Sequence, residues 1–251
     1  MRLDQVLVEF FEIESRTKAQ ALIADGKIRV DRKIIDKPSF KIADDQHDKI
    51  EILDSDVLRY VSRAGIKLEK AIARLGIDMR TKQVLDIGQS TGGFTDCVLQ
   101  HGARRVVGID VGHSQLHKKL IDDAKCVSIE GLHVKDLKTS AQFQSLVPEG
   151  KFDFLLVDVS FISLNQVVPY LTEFLKPLGK FLVLVKPQYE VENTGRAMDS
   201  QFYSLLENSM RILFEQNFGQ VNDYFQSELQ GKDGTTEFFI YGKNTNAAQL
   251  S

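Results

Sequence analysis

Apolar and polar positions recur along this chain in two different periods, and the change of period marks its organisation. Leu3, Val6, Leu7 and Phe10 fall at helical spacing. Ser15 then reads as an N-cap for a second helix with Ala19, Leu22 and Ile23 on its inner face, stopped by Gly26. Short apolar runs follow at Ile28–Val30, Ile34–Ile35 and Ile50–Leu53, separated by polar turns and Pro38. Two helices and a small sheet predict an α+β module over residues 1–58. A linking helix is predicted over 59–82, with Val61, Ile66, Leu68 and Ile72 as its apolar positions.

From 83 to 243 the pattern is strand-like runs alternating with helical ones. The strand-like runs are Val84–Ile87, Val106–Ile109, Cys126–Ile129, Phe154–Val157, Phe181–Val185, Val221–Phe225 and Glu237–Tyr241. Helical patterns lie near 94–101, 114–122, 164–175 and 200–217. Such alternation predicts an α/β fold, a Rossmann-like doubly wound sheet of seven mostly parallel strands. The last two runs have no helix between them, which predicts an antiparallel hairpin at one edge. Residues 244–251 read as a polar tail.

Composition narrows the class. With 43% hydrophobic and 27% charged residues the chain suits a soluble globular protein, not a fibrous or disordered one. No apolar run nears the ~20 residues of a bilayer span, and Asp4 and Glu9 interrupt any signal-peptide pattern, so a cytoplasmic location is expected. Cys97 and Cys126 sit in apolar surroundings, and the histidines have no ligand spacing, so neither disulfide nor metal is expected.

The net charge is -3, but its distribution is uneven. Arg16, Lys18, Lys27, Arg29, Arg32, Lys33, Lys37 and Lys41 crowd one segment, and Arg59, Arg63, Lys67, Lys70, Arg74, Arg80 and Lys82 another. Either block alone suits a solvated face. Two in succession on an acidic chain point to a polyanion such as RNA or DNA.

The segment VLDIGQSTGGFTDCVLQHGARRVVGID, Val84 to Asp110, has the order strand, Gly-rich turn, helix, strand, acid of a nucleotide-binding βαβ unit. A dinucleotide fingerprint would space its glycines differently from Gly88, Gly92 and Gly93. Asp86 inside the strand end would repel a pyrophosphate but suits a cationic or hydrogen-bond-donating group, such as the amino-acid half of S-adenosylmethionine. Asp110 is placed to accept from ribose hydroxyls. The plainer alternative is a turn that only lets strand meet helix. Further candidates sit at strand ends: Asp158, Lys186, and Glu237 beside Phe238 and Phe239, with Lys67 on the linking helix. Each has a structural alternative as a cap, a solvated strand end or a surface pair.

Residues 1–54 resemble an S4 RNA-binding domain through RLD at Arg2–Asp4, SR at Ser15 and Arg16, ALIADGKIRV from Ala21 and KPSF from Lys37. Asp31-Arg32 replaces the usual Asn-Gly, which predicts an altered turn. Almost the whole chain resembles the hemolysin A, or TlyA, family of S4-domain RNA 2′-O-methyltransferases with an FtsJ-type catalytic domain. The carrying motifs are SRAGIKL (62–68), DIGQSTGGFTD (86–96), IDVGHSQL (109–116), DVSFISL (158–164), LVKPQYE (184–190) and GTTEFF (234–239).

The resemblance implies a catalytic set of Lys67, Asp158, Lys186 and Glu237. It implies cofactor contacts around Gly88, Ser90, Gly92, Gly93, Phe94 and Asp110, with Asp86 beside them. RNA contacts are expected from Arg2, Ser15, Arg16, Lys18, Gln20, Lys27, Arg29 and Arg63. The implied substrate is ribosomal RNA or a ribosomal subunit, at a cytidine ribose, with S-adenosylmethionine as methyl donor and the protein a monomer or weak dimer. A non-catalytic RNA-binding relative and a cytolysin are the alternative classes. Gln89 stands where the family usually has Ala, inside the turn that should cradle the cofactor. Gly131, Leu132 and His133 also depart from the family pattern, and the segment from Glu190 to Asp199 is short.

Overall fold

The computed structural model describes residues 1–11, 13, 15–53, 59–149, 151–190, 198–231 and 234–246. It divides into two compact units, Met1–Ile66 and Lys67–Ser251.

In the first unit, helices α1 (Leu3–Phe10) and α2 (Arg16–Ala24) pack on an antiparallel sheet of order β2-β1-β3, with β1 at Ile28–Val30, β2 at Lys33–Ile34 and β3 at Ile50–Ile52. Leu3, Val6, Leu7, Leu22, Ile23 and Ile28 are completely buried, which is the helical stripe of the sequence closing on the inner face of β1. The Ser15 hydroxyl caps α2 by accepting from the Lys18 amide at 3.2 Å. The expected alteration of the β1–β2 turn does not occur. Asp31 and Arg32 adopt φ of 48° and 65°, the two left-handed residues that a two-residue hairpin needs, and Val30 pairs with Lys33. Pairing of the flanking strands holds Arg32 in a conformation its own preference would not select. Residues 54–58 of the predicted module lie outside the described residues.

The linking helix, α3, is shorter than expected: it covers Arg63–Leu75 and stops at Gly76, whose φ is +60°. The second unit then builds a seven-stranded sheet of order β6-β5-β4-β7-β8-β10-β9. Its strands are β4 (Gln83–Ile87), β5 (Arg105–Asp110), β6 (Cys126–Glu130), β7 (Phe152–Val157), β8 (Leu175–Val185), β9 (Gly219–Gln226) and β10 (Phe238–Asn244). Strands β6, β5, β4, β7 and β8 pair in parallel, while β10 inserts antiparallel between β8 and the edge strand β9. The fold is the expected Rossmann-like doubly wound sheet with its antiparallel pair at one edge. Leu155, Leu156, Val157 and Val183 are buried, as the central strands of a sheet covered on both faces should be.

Helix α4 (Gly93–Gln100) follows the Gly-rich turn, and the 19-residue α8 (Ser200–Phe218) stacks Phe214 and Phe218 on Phe181, with ring centroids 5.1 and 4.9 Å away. Two predicted helices are reduced. Near 114–122 only α5 (Lys118–Ile121) forms, because the Glu130 carboxylate accepts from the amides of Ser114 and Gln115 and holds that loop open. Between 164 and 175 the chain makes three short 3₁₀ turns, since Pro169 offers no amide to continue an α-helix. Short helices α6 (Ala141–Gln144) and α7 (Pro187–Glu190) complete the unit. Among the described residues no helix is long and apolar enough to cross a membrane.

Candidate active site

Strand β4 delivers the chain into the turn Gly88–Gly93 at the carboxyl edge of the sheet. Gly88 has φ +81°, and a Cβ there would collide with the backbone of Asp158. Gly92 has φ +92°, and a Cβ would strike the Leu120 side chain. Only glycine lets this turn lie so close to both neighbours. Asp110, at the end of β5, accepts from the Ser90 amide through Oδ2 and from the Gly112 amide through Oδ1, each at 2.7 Å. Each oxygen keeps a second acceptor site, so the carboxylate can still receive two hydroxyls. The Ser90 hydroxyl donates to Gln115 Oε1 at 3.0 Å.

Three of the residues expected near the cofactor are buried. The Asp86 carboxyl is 1% exposed and turned under the turn, where it accepts from Thr95 Oγ1 at 2.6 Å while its Oδ1 has no hydrogen-bond partner among the described residues. Burial, with the charges of Asp158 and Asp110, pushes its pKa up to about 7 against the opposing Thr95 bond. The Phe94 ring is buried, 6.4 Å from that of Phe239, so it belongs to the core and only its backbone faces the turn. Gly93 is buried as the first residue of α4. The departure at Gln89 is absorbed on this inner side. Its amide donates to Thr95 Oγ1 at 2.9 Å and reaches Cys126 Sγ at 3.6 Å, and its side chain fills the space above Gly108.

Beside the turn lie two ion pairs. Lys186 Nζ sits 2.6 Å from Asp158 Oδ1 and donates to Ser160 Oγ at 2.9 Å. Lys67 Nζ donates to Glu237 Oε2 at 2.5 Å. All four side chains are at most 17% exposed. The topology explains why they meet. Strands β7 and β8 run parallel, with Val157 level with Val183, so Asp158 and Lys186 both emerge at their carboxyl ends. Antiparallel β10 pairs Phe238 with Val185, which sets Glu237 opposite Lys186. The backbone of Gly231 packs on Glu237, where a Cβ would stand 2.7 Å from its Oε1.

Four neighbours escaped the sequence reading. Ser160 completes the Lys186 site. Glu190, at the end of α7, accepts from Ser163 Oγ at 2.8 Å and from the Leu164 amide at 3.1 Å, tying the loop after Asp158 to the loop after Lys186; burial raises its pKa. Phe161 is 90% exposed, with φ +64°, and its ring centroid lies 5.2 Å from that of Tyr189. The signal that could have found Phe161 is an aromatic three residues past a strand-end Asp, in the segment Asp158–Leu164.

In the first unit the expected RNA contacts are less free than a solvated basic face. Asp4, 0% exposed, draws Arg2 Nε at 2.9 Å, Arg16 at 3.0 Å and Gln20 at 2.8 Å, and these donors hold its pKa well below the usual carboxylate range. The guanidinium-bearing side chains of Arg2 and Arg16 stay 42% and 52% exposed. Lys18 Nζ donates to the Tyr60 carbonyl, Arg29 pairs with Glu51 at 3.0 Å, and Arg63 lies 3.9 Å from Asp25. Ser15 is committed to its helix cap, and Lys27 is half-buried between α2 and β1.

Known proteins resemble this chain in sequence and fold. The FtsJ-like methyltransferase family matches residues 60–244, and the S4 domain matches residues 1–47. Hemolysin A of Brachyspira hyodysenteriae is 37% identical over 96% of this chain and 99% of its own. The 16S/23S rRNA (cytidine-2′-O)-methyltransferase TlyA of Mycobacterium tuberculosis is 36% identical over 100% of this chain and 92% of its own. A hemolysin-named protein of Streptococcus thermophilus superposes with a TM-score of 0.73 at 30% identity, covering 98% of this chain and 89% of that one.

Proposed function

Since the chain belongs to the FtsJ-like methyltransferase family, in the S4-domain group that holds the hemolysin A and TlyA proteins, we propose that it methylates ribose 2′-hydroxyls of ribosomal RNA, at cytidine, in the cytoplasm. The observation that carries this reading is the pair of Lys–carboxylate contacts, Lys186–Asp158 and Lys67–Glu237, set at adjacent strand ends beside a glycine turn.

The residues present fit S-adenosylmethionine. Gly88 and Gly92 let the turn lie against Asp158 and Leu120 at the carboxyl edge of the sheet, and Asp110 keeps acceptor sites for a ribose diol. The backbone of Gly88–Gly93 with Ser90 would hold its amino-acid half. When bound, this cofactor supplies an electrophilic methyl group.

The chain supplies position and proton handling. A ribose hydroxyl is a poor nucleophile at neutral pH, so its proton must have a destination as the new bond forms. The Lys186–Asp158 pair is that destination: Ser160 and Asp158 fix Nζ at the mouth of the site. Glu237 orients the Lys67 ammonium and offsets its repulsion from Lys186. Phe161 and Tyr189 offer an exposed aromatic surface three residues past Asp158 and Lys186, suited to stacking an unstacked base and presenting its ribose. Most of the rate then comes from alignment.

Incubation of ribosomal subunits with labelled S-adenosylmethionine, followed by mapping of modified riboses, tests this. One 2′-O-methylated ribose, lost with Lys186→Ala, is the expected result. Cofactor binding with no transfer to either subunit would instead make the chain a non-catalytic RNA-binding member.

A further inference from the structure

The catalytic unit is electrically polarised along its strands. At the carboxyl ends stand Asp110, Glu130 and Asp158, with Glu237 at the adjacent start of β10. At the opposite side the sheet carries cations: Lys125 before β6, Arg104 and Arg105 at β5, Lys82 before β4, Lys180 in β8 level with Phe154 near the start of β7, and Lys243 near the end of β10; β7 itself has Asp153 there. These residues are far apart in sequence, and the sheet order assembles them. Arg105 is level with Gln83, the Arg104 amide donates to the Lys82 carbonyl at 2.8 Å, the Val106 amide donates to the Lys125 carbonyl at 2.8 Å, and Lys243 pairs with Lys180.

Of the acids near this rim, Asp153 pairs with Lys176 at 2.8 Å and Asp78 with Arg80 at 2.7 Å, and Asp123 accepts from the Lys125 amide. Arg104, Lys125 and Lys180 are exposed and close no ion pair among the described residues.

We infer that this amino-end rim is a second RNA-binding surface, gripping phosphates of a segment distant from the reacting ribose. The inference rests on the RNA reading above. The reasoning is electrostatic. The end that must receive the ribose is lined with carboxylates, and its two lysines are neutralised in pairs, so charge there gives a polyanion little attraction. The rim offers that attraction. From β6 to β10 it crosses six strands, about 24 Å at the usual strand spacing, enough for several successive phosphates. It stands one strand length, roughly 20 Å, from the catalytic ends, so one short stem cannot fill both. A folded RNA with a second arm can.

The test is Arg104→Glu/Lys125→Glu/Lys180→Glu in the full-length protein, with the corresponding triple Gln variant beside it. Labelled S-adenosylmethionine binding checks the fold. On intact ribosomal subunits the Glu variant should raise KM about tenfold or more with kcat unchanged. The slope of log affinity against log salt should shrink by roughly 2–3, and the Gln variant should fall between. On a short stem-loop cut from the mapped target, KM should stay at the wild-type value. Unchanged KM and salt slope on intact subunits would overturn the rim. So would an equal loss on subunit and stem-loop, or a loss confined to anionic phosphatidylglycerol vesicles with RNA binding intact. If the wild-type protein binds ribosomal RNA but methylates none, the methyltransferase reading fails while the salt slopes still decide the rim.

Discussion

The side-chain amide of Gln89 donates to Thr95 Oγ1 at 2.9 Å, on the inner side of the glycine turn and away from the face left open for the cofactor. Gln89→Ala should therefore change S-adenosylmethionine affinity less than about threefold, by titration calorimetry. The same geometry predicts a coupling. A Cβ at Gly108 would overlap the Gln89 side chain, so Gly108→Ala alone should destabilise by about 1–3 kcal/mol, as overpacking does. In a Gln89→Ala background the cost should largely vanish, a coupling above about 1 kcal/mol in denaturant melts.

Asp86 carries a pH dependence. Its folded pKa, about 7, lies above the unfolded carboxyl value near 3.9, so folding favours the protonated form. No stability is lost below the unfolded value. The loss grows as pH rises between the two and is complete above about 7, with an upper bound near 4 kcal/mol. Asp86→Asn should remove that slope. Melts of both proteins from pH 4 to 8 should converge at the acid end and separate at the basic end, with the variant more stable.

Removing one member of the buried pairs should act on both chemistry and fold. Lys186→Ala should lower transfer by roughly 10²–10⁴-fold while cofactor affinity holds, measured as single-turnover methylation. Lys67→Ala leaves Glu237, 4% exposed, without its cation, and should also cost about 3–5 kcal/mol of stability. A Lys67→Met/Glu237→Gln double variant should recover much of the stability and none of the transfer.

Phe161 is too exposed to support the fold. Phe161→Ala should leave the melting temperature within a degree or two of wild type. It should reduce kcat/KM for RNA by about 1–3 kcal/mol of stacking, roughly 5- to 150-fold.

In the first unit Asp4 organises the arginines. Arg16→Ala should weaken RNA binding and lower the salt slope by about 1. Asp4→Ala should weaken it further, because Arg2, Arg16 and Gln20 together lose their acceptor.

The sequence by itself determined the local structure and the inventory of reactive groups. Runs such as Phe154–Val157 must be buried strands wherever they pair, glycines at 88 and 92 must serve a tight turn, and charged residues at strand ends must face a crevice. Period and residue chemistry are local properties, so they can be read locally. Tertiary structure decided the partnerships. Lys67 and Glu237 are 170 residues apart, and only the insertion of β10 beside β8 brings Glu237 level with Lys186. Gln89 turned inward because Gly108, on the neighbouring strand, leaves room for it. Arg2, Arg16 and Gln20 are drawn together by Asp4, buried beneath them. The reason is common to all three. Which side chain satisfies a buried charge or fills a gap depends on strand order and on packing between distant segments, and hydrophobic periodicity does not record either.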